Sequence, residues 1–221
     1  MQDIEFSLGF VAYLRACKLE DLPKVWMALR KEGGVAAERA LCRVDRFYLL
    51  VNVLDRLDVI HPWIYARCRE VEASPDGHLD IWARESYKST LITLAGSIQE
   101  ILLNPDVTIG IFSHTKGIAR KFFIQIKEEL ERNEKLKGLF PDIFWQEPER
   151  DAPRWSEEKG IVVKRKSNQK EATLEAWGLV DGQPTAAHYA LRVYDDVVTR
   201  ESVSTPEQIA NLQHSPLGSV I

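Results

Sequence analysis

Residues 79–90 read Leu79-Asp80-Ile81-Trp82-Ala83-Arg84-Glu85-Ser86-Tyr87-Lys88-Ser89-Thr90. The alternating run at 79–82 predicts a strand, the next five residues a turn, and Lys88-Ser89-Thr90 the opening of an apolar helix. That order suits phosphate binding. A helix N-terminus offers unpaired N–H groups and partial positive charge, a lysine neutralises phosphate oxygens, and the hydroxyl beside it can ligate magnesium. About a hundred residues on, Leu191-Arg192-Val193-Tyr194-Asp195-Asp196 ends a second apolar run on two carboxylates. A magnesium–nucleoside triphosphate site needs such an acidic strand end opposite the loop.

Each half is weak alone. In the pattern G-x-x-x-x-G-K-[ST], glycines let the backbone curl around phosphates. Here both glycine positions are filled otherwise, by Trp82 and Tyr87. Taken by itself, 88–90 is equally a helix cap leading into core, and Asp195-Asp196 a charged strand end capping the next helix. Arg192 interrupts the apolar run before the acidic pair. Arg84, four residues before Lys88, stands where a loop arginine could offset charge on a transferring phosphate, or is an exposed loop side chain.

Outward from these segments, strands alternate with helices. Residues 89–103 predict a helix with Leu91, Leu94, Ile98 and Leu102 on one side, stopped by Asn104-Pro105. Residues 107–113 predict a strand. Residues 116–132 predict an amphipathic helix with Ile118, Phe122, Ile126 and Leu130 inward. Residues 139–160, rich in Pro, Trp and charge, read as a long surface excursion. Residues 161–166 and 172–177 suit a hairpin, and 190–194 a further strand. The alternation implies an α/β fold with a mostly parallel sheet flanked by helices, whose ligands sit at the carboxyl ends of the strands. Residues 3–70 instead show helical periodicity, interrupted at Gly33-Gly34, and 73–77 is a turn cluster. The expected organisation is a helical subdomain over 1–75 and a nucleotide-binding core over 76–221.

Composition narrows the classes. A chain of 221 residues can bury a core without disulfides or metals. Its net charge of −4 means that any nucleic-acid contact must use a local patch. Cys17, Cys42 and Cys68 lack metal-ligand spacing and suit a reducing compartment. No stretch approaches the roughly 20 apolar residues of a membrane span, and Asp3 and Glu5 argue against a signal peptide.

With these residues in view, the chain resembles the large subunit of tailed-bacteriophage terminases, the motor that packages viral DNA. The likeness rests on Ala83-Arg84-Glu85-Ser86-Tyr87-Lys88-Ser89-Thr90, similar to that family's deviant phosphate loop, and on Val193-Tyr194-Asp195-Asp196-Val197-Val198-Thr199-Arg200-Glu201, similar to its acidic motif. It covers roughly residues 60–210. The resemblance implies a P-loop NTPase fold of the RecA/ASCE kind. It also implies ATP and Mg2+ as cofactors and hydrolysis that drives double-stranded DNA into a procapsid.

By the same resemblance, Arg84, Glu85, Ser86, Tyr87, Lys88, Ser89 and Thr90 would line the nucleotide. Lys88 would bind the β- and γ-phosphates, Ser89 and Asp195 would hold magnesium, and Arg84 would be the loop arginine. Asp196 would orient the attacking water. It is one methylene shorter than the glutamate of related ATPases, which leaves Glu201 as the alternative. The implied partners are the portal protein, the terminase small subunit and further copies in a ring, with no membrane. The implied location is the cytoplasm of the infected host, docked on the procapsid. Family members carry a nuclease domain for which this chain is too short, and the family's coupling motif is not recognisable, so the expectation is an ATPase domain alone. Another P-loop translocase of helicase type is the same-class alternative. A non-catalytic assembly module with a degenerate loop is the alternative of a different class.

Other segments invite function with less support. Lys116, Arg120 and Lys127, or Lys164-Arg165-Lys166, could meet DNA phosphates or be solvated surface. His61, Trp63 and Tyr65 could stack on adenine or belong to the core. Ser113-His114-Thr115 borders the expected site. No histidine or cysteine set has metal-ligand spacing.

Overall fold

The computed structural model describes residues 6–74, 79–83, 85–181, 184, 187–198 and 205. The N-terminal third is helical. It comprises α1 (Leu8–Ala16), α2 (Leu22–Val44), α3 (Arg46–Tyr48), a π-helical turn at Leu49–Val53, a 3-10 turn at Leu57–Val59 and α4 (Pro62–Ala73). Gly34, at φ 55° and ψ −140°, kinks α2 where the sequence breaks its helical period. Ser7, Asp45 and His61 cap α1, α3 and α4 by accepting backbone N–H groups.

A second π-helical turn, Thr90–Leu94, runs into α5 (Ala95–Leu103). After it come β1 (Ile109–Ser113), α6 (Lys116–Arg132), α7 (Glu134–Leu139), α8 (Pro148–Asp151), β2 (Trp155–Ser156), β3 (Gly160–Ile161), β4 (Leu174–Gly178) and β5 (Leu191–Tyr194). The five strands form one sheet in the order β2-β3-β4-β1-β5. Strand β1 runs parallel to β4 and β5, while the β2–β3 and β3–β4 pairings are antiparallel. The fold is therefore α/β with a mixed sheet flanked by helices, not a mostly parallel one. The antiparallel part is the hairpin of β2 with β3 together with the pairing of β3 to β4; the strand expected over 161–166 is confined to Gly160–Ile161.

Residues 79–83 form no strand. Leu79 and Ile81 are 79% and 86% exposed, so their alternation with polar neighbours buries nothing. Strand β5 is the last strand in the sheet among the described residues, and its outward-facing Arg192 is tolerated there.

Register sorts the side chains of the three parallel strands. Ile109, Ile111, Leu174, Ala176, Leu191 and Val193 share one face and join the main core. Helix α6 packs over this face with Ala119, Phe123, Ile126 and Leu130 buried. Ile126 and Leu130 face inward as expected, whereas the first half of the stripe falls one residue on, at Ala119 and Phe123, leaving Ile118 and Phe122 half-buried. On the opposite face Trp177, Phe112 and Tyr194 lie side by side in register, with Tyr189 and Leu179 completing a smaller aromatic cluster. The 139–160 segment is anchored, not superficial. Phe140, Ile143 and Phe144 are buried, and the Arg39 guanidinium sits 4.6 Å over the Phe140 ring.

The main core is continuous from Leu14 to Val193. Beneath α2 and α4 lies a buried ionic cluster. Asp45 accepts from Trp26 Nε1 at 3.0 Å, from Tyr48 N at 3.0 Å and from Arg69 Nη1 at 2.9 Å. Glu72 accepts from Arg46 N and Arg69 Nη1, each at 2.6 Å. No helix among the described residues is long and apolar enough to cross a membrane.

Candidate functional site

The chain reaches Lys88 through an irregular loop. Glu85 and Tyr87 both have positive φ, 63° and 61°, the left-handed conformation that glycine adopts most easily. Tyr87 thus takes the backbone conformation of the missing glycine while its ring packs on the core. Alternating hands along such a loop turn successive N–H groups toward one side, the geometry of an anion nest. Ser86 Oγ donates to the Ala83 carbonyl and tightens the turn. Helical conformation begins at Lys88, and Leu91 N donates to Tyr87 O at 2.9 Å.

The structure brings Lys88 and Asp195 together. Lys88 Nζ lies 3.4 Å from Asp195 Oδ1, with the lysine side chain 30% exposed and the aspartate side chain 3% exposed. The other carboxylate oxygen, Oδ2, accepts from Thr93 Oγ1 at 2.7 Å. Buried Oδ1 has no hydrogen-bond partner. A carboxylate out of water ordinarily has each oxygen satisfied, and here the Lys88 ammonium at 3.4 Å is the charge that faces Oδ1. Thr93 lies in the π-helical turn, a feature that recurs at functional sites. Arg46 braces that turn from the far side, donating from Nε to Gln99 Oε1 at 3.0 Å and from Nη1 to the Leu91 carbonyl at 3.5 Å.

The strand ends are tied to one another. Asp195 N donates to Phe112 O at 2.9 Å. Asp196 has φ 51°, and its carbonyl accepts from His114 N and Ser113 Oγ, each at 3.2 Å, while its side chain is exposed. Ser113 is thereby spent within the fold. Thr115 is spent too, capping α6 through Ile118 N. His114 Nδ1 is buried and unpartnered. Arg84 and Glu201 lie outside the described residues. Ser89 and Thr90 are half-buried in the first turn after Lys88.

Several sequence candidates have partners within the fold. Arg120 pairs with Glu157, and Lys127 with Glu131. Lys164 Nζ donates to the Pro141 carbonyl, and Arg165 to the carbonyls of Glu171 and Gln169. Tyr65 is core, its hydroxyl donating to Cys17 O. Trp63 remains 42% exposed, in an edge-on pair with Trp82. Thr93 escaped sequence reasoning because a lone threonine in an apolar helix carries no signal. A groove of about 560 Å3 lined by Arg30, Tyr48, Asn52 and Lys135 includes no residue of the loop or of β5.

The donor set can be tested against magnesium. Among the described residues no three or more His, Cys, Asp or Glu gather to hold a metal ion. A hard cation at Asp195 Oδ1 would therefore complete its shell with the Ser89 hydroxyl, phosphate oxygens and water, the usual arrangement for magnesium on a nucleotide. Asp195 Oδ1, which has no hydrogen bond and is faced by the Lys88 ammonium, fits that role. No protein-family model matches the chain, and no match is found among curated proteins or solved structures.

Proposed function

We propose that the chain is a magnesium-dependent ATPase domain of the P-loop kind, acting as the motor part of a DNA-packaging terminase large subunit. The observation that carries the reading is the meeting of Lys88 with a buried aspartate from a remote strand whose Oδ1 has no hydrogen-bond partner. The left-handed backbone at Tyr87 adds support, because it answers the main objection from sequence, the missing glycine.

In this reading the loop N–H groups and Lys88 bind the β- and γ-phosphates. The phosphates draw the ammonium away from Asp195, which frees Oδ1. Magnesium, when bound with the nucleotide, neutralises charge developing on the phosphoryl oxygens. Asp196 orients the water for in-line attack on the γ-phosphate, with Glu201 as the alternative, and Arg84 offsets charge on the transferred group. The terminase assignment, with double-stranded DNA, portal protein, small subunit and a ring of copies as partners on a host-cytoplasmic procapsid, rests on the resemblance of the two motifs.

The test is thermal unfolding with magnesium and a nonhydrolysable ATP analogue, paired with phosphate release. A ligand that binds only the folded state must raise the midpoint. Wild type is expected to shift upward and turn over ATP, and Lys88→Ala to do neither. An unshifted wild type would leave the non-catalytic assembly module as the better reading.

A further inference from the structure

We infer that Thr93 is a positioning residue for the cation-accepting carboxylate: its hydroxyl fixes one oxygen of Asp195 and commits the other to the face of Lys88. The inference rests on the nucleotide reading above and adds a residue to it. Thr93 is 1% exposed, and its Oγ1 donates to Asp195 Oδ2 at 2.7 Å. A threonine inside a helix ordinarily turns its hydroxyl to the carbonyl one turn back. Here the hydroxyl goes instead to a strand a hundred residues away in sequence.

The π-helical turn explains the diversion. One extra residue in the turn rotates the rest of the helix by about 100° relative to a regular α-helix, and Thr93 falls within Thr90–Leu94. Leu91 and Leu94 on either side are buried, so the turn cannot roll without exposing them. The Arg46 guanidinium, on the Leu91 carbonyl and Gln99, holds it from behind. With Oδ2 taken, rotation of the Asp195 carboxylate would sacrifice a buried hydrogen bond. Oδ1 therefore stays where Lys88 now lies 3.4 Å away. Groups that orient a metal ligand in this way are typically worth about 10–100-fold in metal affinity.

The experiment titrates Mg2+ against the full chain at fixed fluorescent mant-ATP and reads binding, not turnover. Thr93→Val keeps the shape and removes the hydroxyl. It is expected to raise the magnesium half-saturation about 10–100-fold while leaving mant-ATP affinity in EDTA unchanged, and Thr93→Ser is expected to restore the wild-type value. Thr93→Ala replaces Thr93→Val if circular dichroism shows that the valine variant does not fold. In an Asp195→Asn background, removal of the hydroxyl is expected to add nothing. An unchanged magnesium dependence in Thr93→Val, or an undiminished effect of that substitution beside Asp195→Asn, would overturn the positioning role while leaving the nucleotide reading intact. Absence of magnesium-dependent mant-ATP binding by the wild-type protein would overturn both.

Discussion

Two buried acidic sites in this molecule are built to opposite standards. Under α2 and α4, every carboxylate oxygen of Asp45 and Glu72 has a donor: Trp26, Tyr48, Arg69 or Arg46. At the end of β5, Asp195 is as deeply buried, yet one oxygen has no hydrogen bond and is faced by the Lys88 ammonium at 3.4 Å alone. Desolvating a charge is costly, and completed partners are what make it tolerable. The first site is therefore a structural joint between helices. At the second, one oxygen is held by the Lys88 ion pair alone, a partner that an anionic ligand can draw away.

The contrast is most easily broken by removing one carboxylate charge from each site. Asp45→Asn should cost about 3–5 kcal/mol, the usual penalty for breaking a buried pair and stranding its partners, and should lower the denaturation midpoint steeply. Asp195→Asn should be near neutral or slightly stabilising in the absence of ligand, and should sharply reduce the thermal shift with magnesium and nucleotide. Equal destabilisation by the two changes would mean that Asp195 is another structural joint. A smaller effect is expected at Glu85, which is exposed and has φ 63°. Replacing it by glycine relieves left-handed strain of about 1–2 kcal/mol, less the unfolded-state entropy that glycine adds. Glu85→Gly should therefore raise the melting temperature slightly, whereas a fall would show that the side chain contributes more than its backbone costs.

The smallest effect concerns acid. The hydrogen bond from Arg39 holds the Asp142 carboxyl below its ordinary range. A carboxyl lowered in the folded state stabilises above its unfolded value, near ~4, and that contribution is lost as pH falls through the folded value. Denaturant titrations between neutral pH and pH ~3 should show a gentler loss of stability in Asp142→Asn than in the wild type, and parallel curves would count against the pair.

Much of the core was legible because burial follows helical period. Leu91, Leu94, Ile98 and Leu102 are all buried as their spacing requires, and α6 has the predicted bounds because Thr115 caps its first turn. Lys88 and Asp195 were also legible, since residue type and strand-end context narrow the choice. The 79–82 strand was misread because alternation reports suitability for a pleated surface, not the existence of a neighbouring strand to pair with. In α6, Ile126 and Leu130 are buried as expected, but the first two inward positions were off by one because Ile118 and Phe122 are at least as apolar as Ala119 and Phe123, and only packing decides between adjacent faces. The Thr90–Leu94 turn was invisible, since one surplus residue in a helix leaves no compositional trace. Thr93, whose partner depends on that turn, was hidden with it.

Helix α2 supplies more than its own length suggests. Arg39 reaches the Leu139 carbonyl and Arg43 the Leu102 carbonyl, fastening the first third of the chain to segments that precede and follow β1. A chain trimmed to begin at residue 79 would still carry the lysine and the aspartate. It would also lose Arg46 behind the bent helix and lay bare Leu91, Ile98 and Leu102, so the shortened product should clump before it could be assayed. The opening helices are the backing on which the bent helix rests, and the protein has to be handled whole.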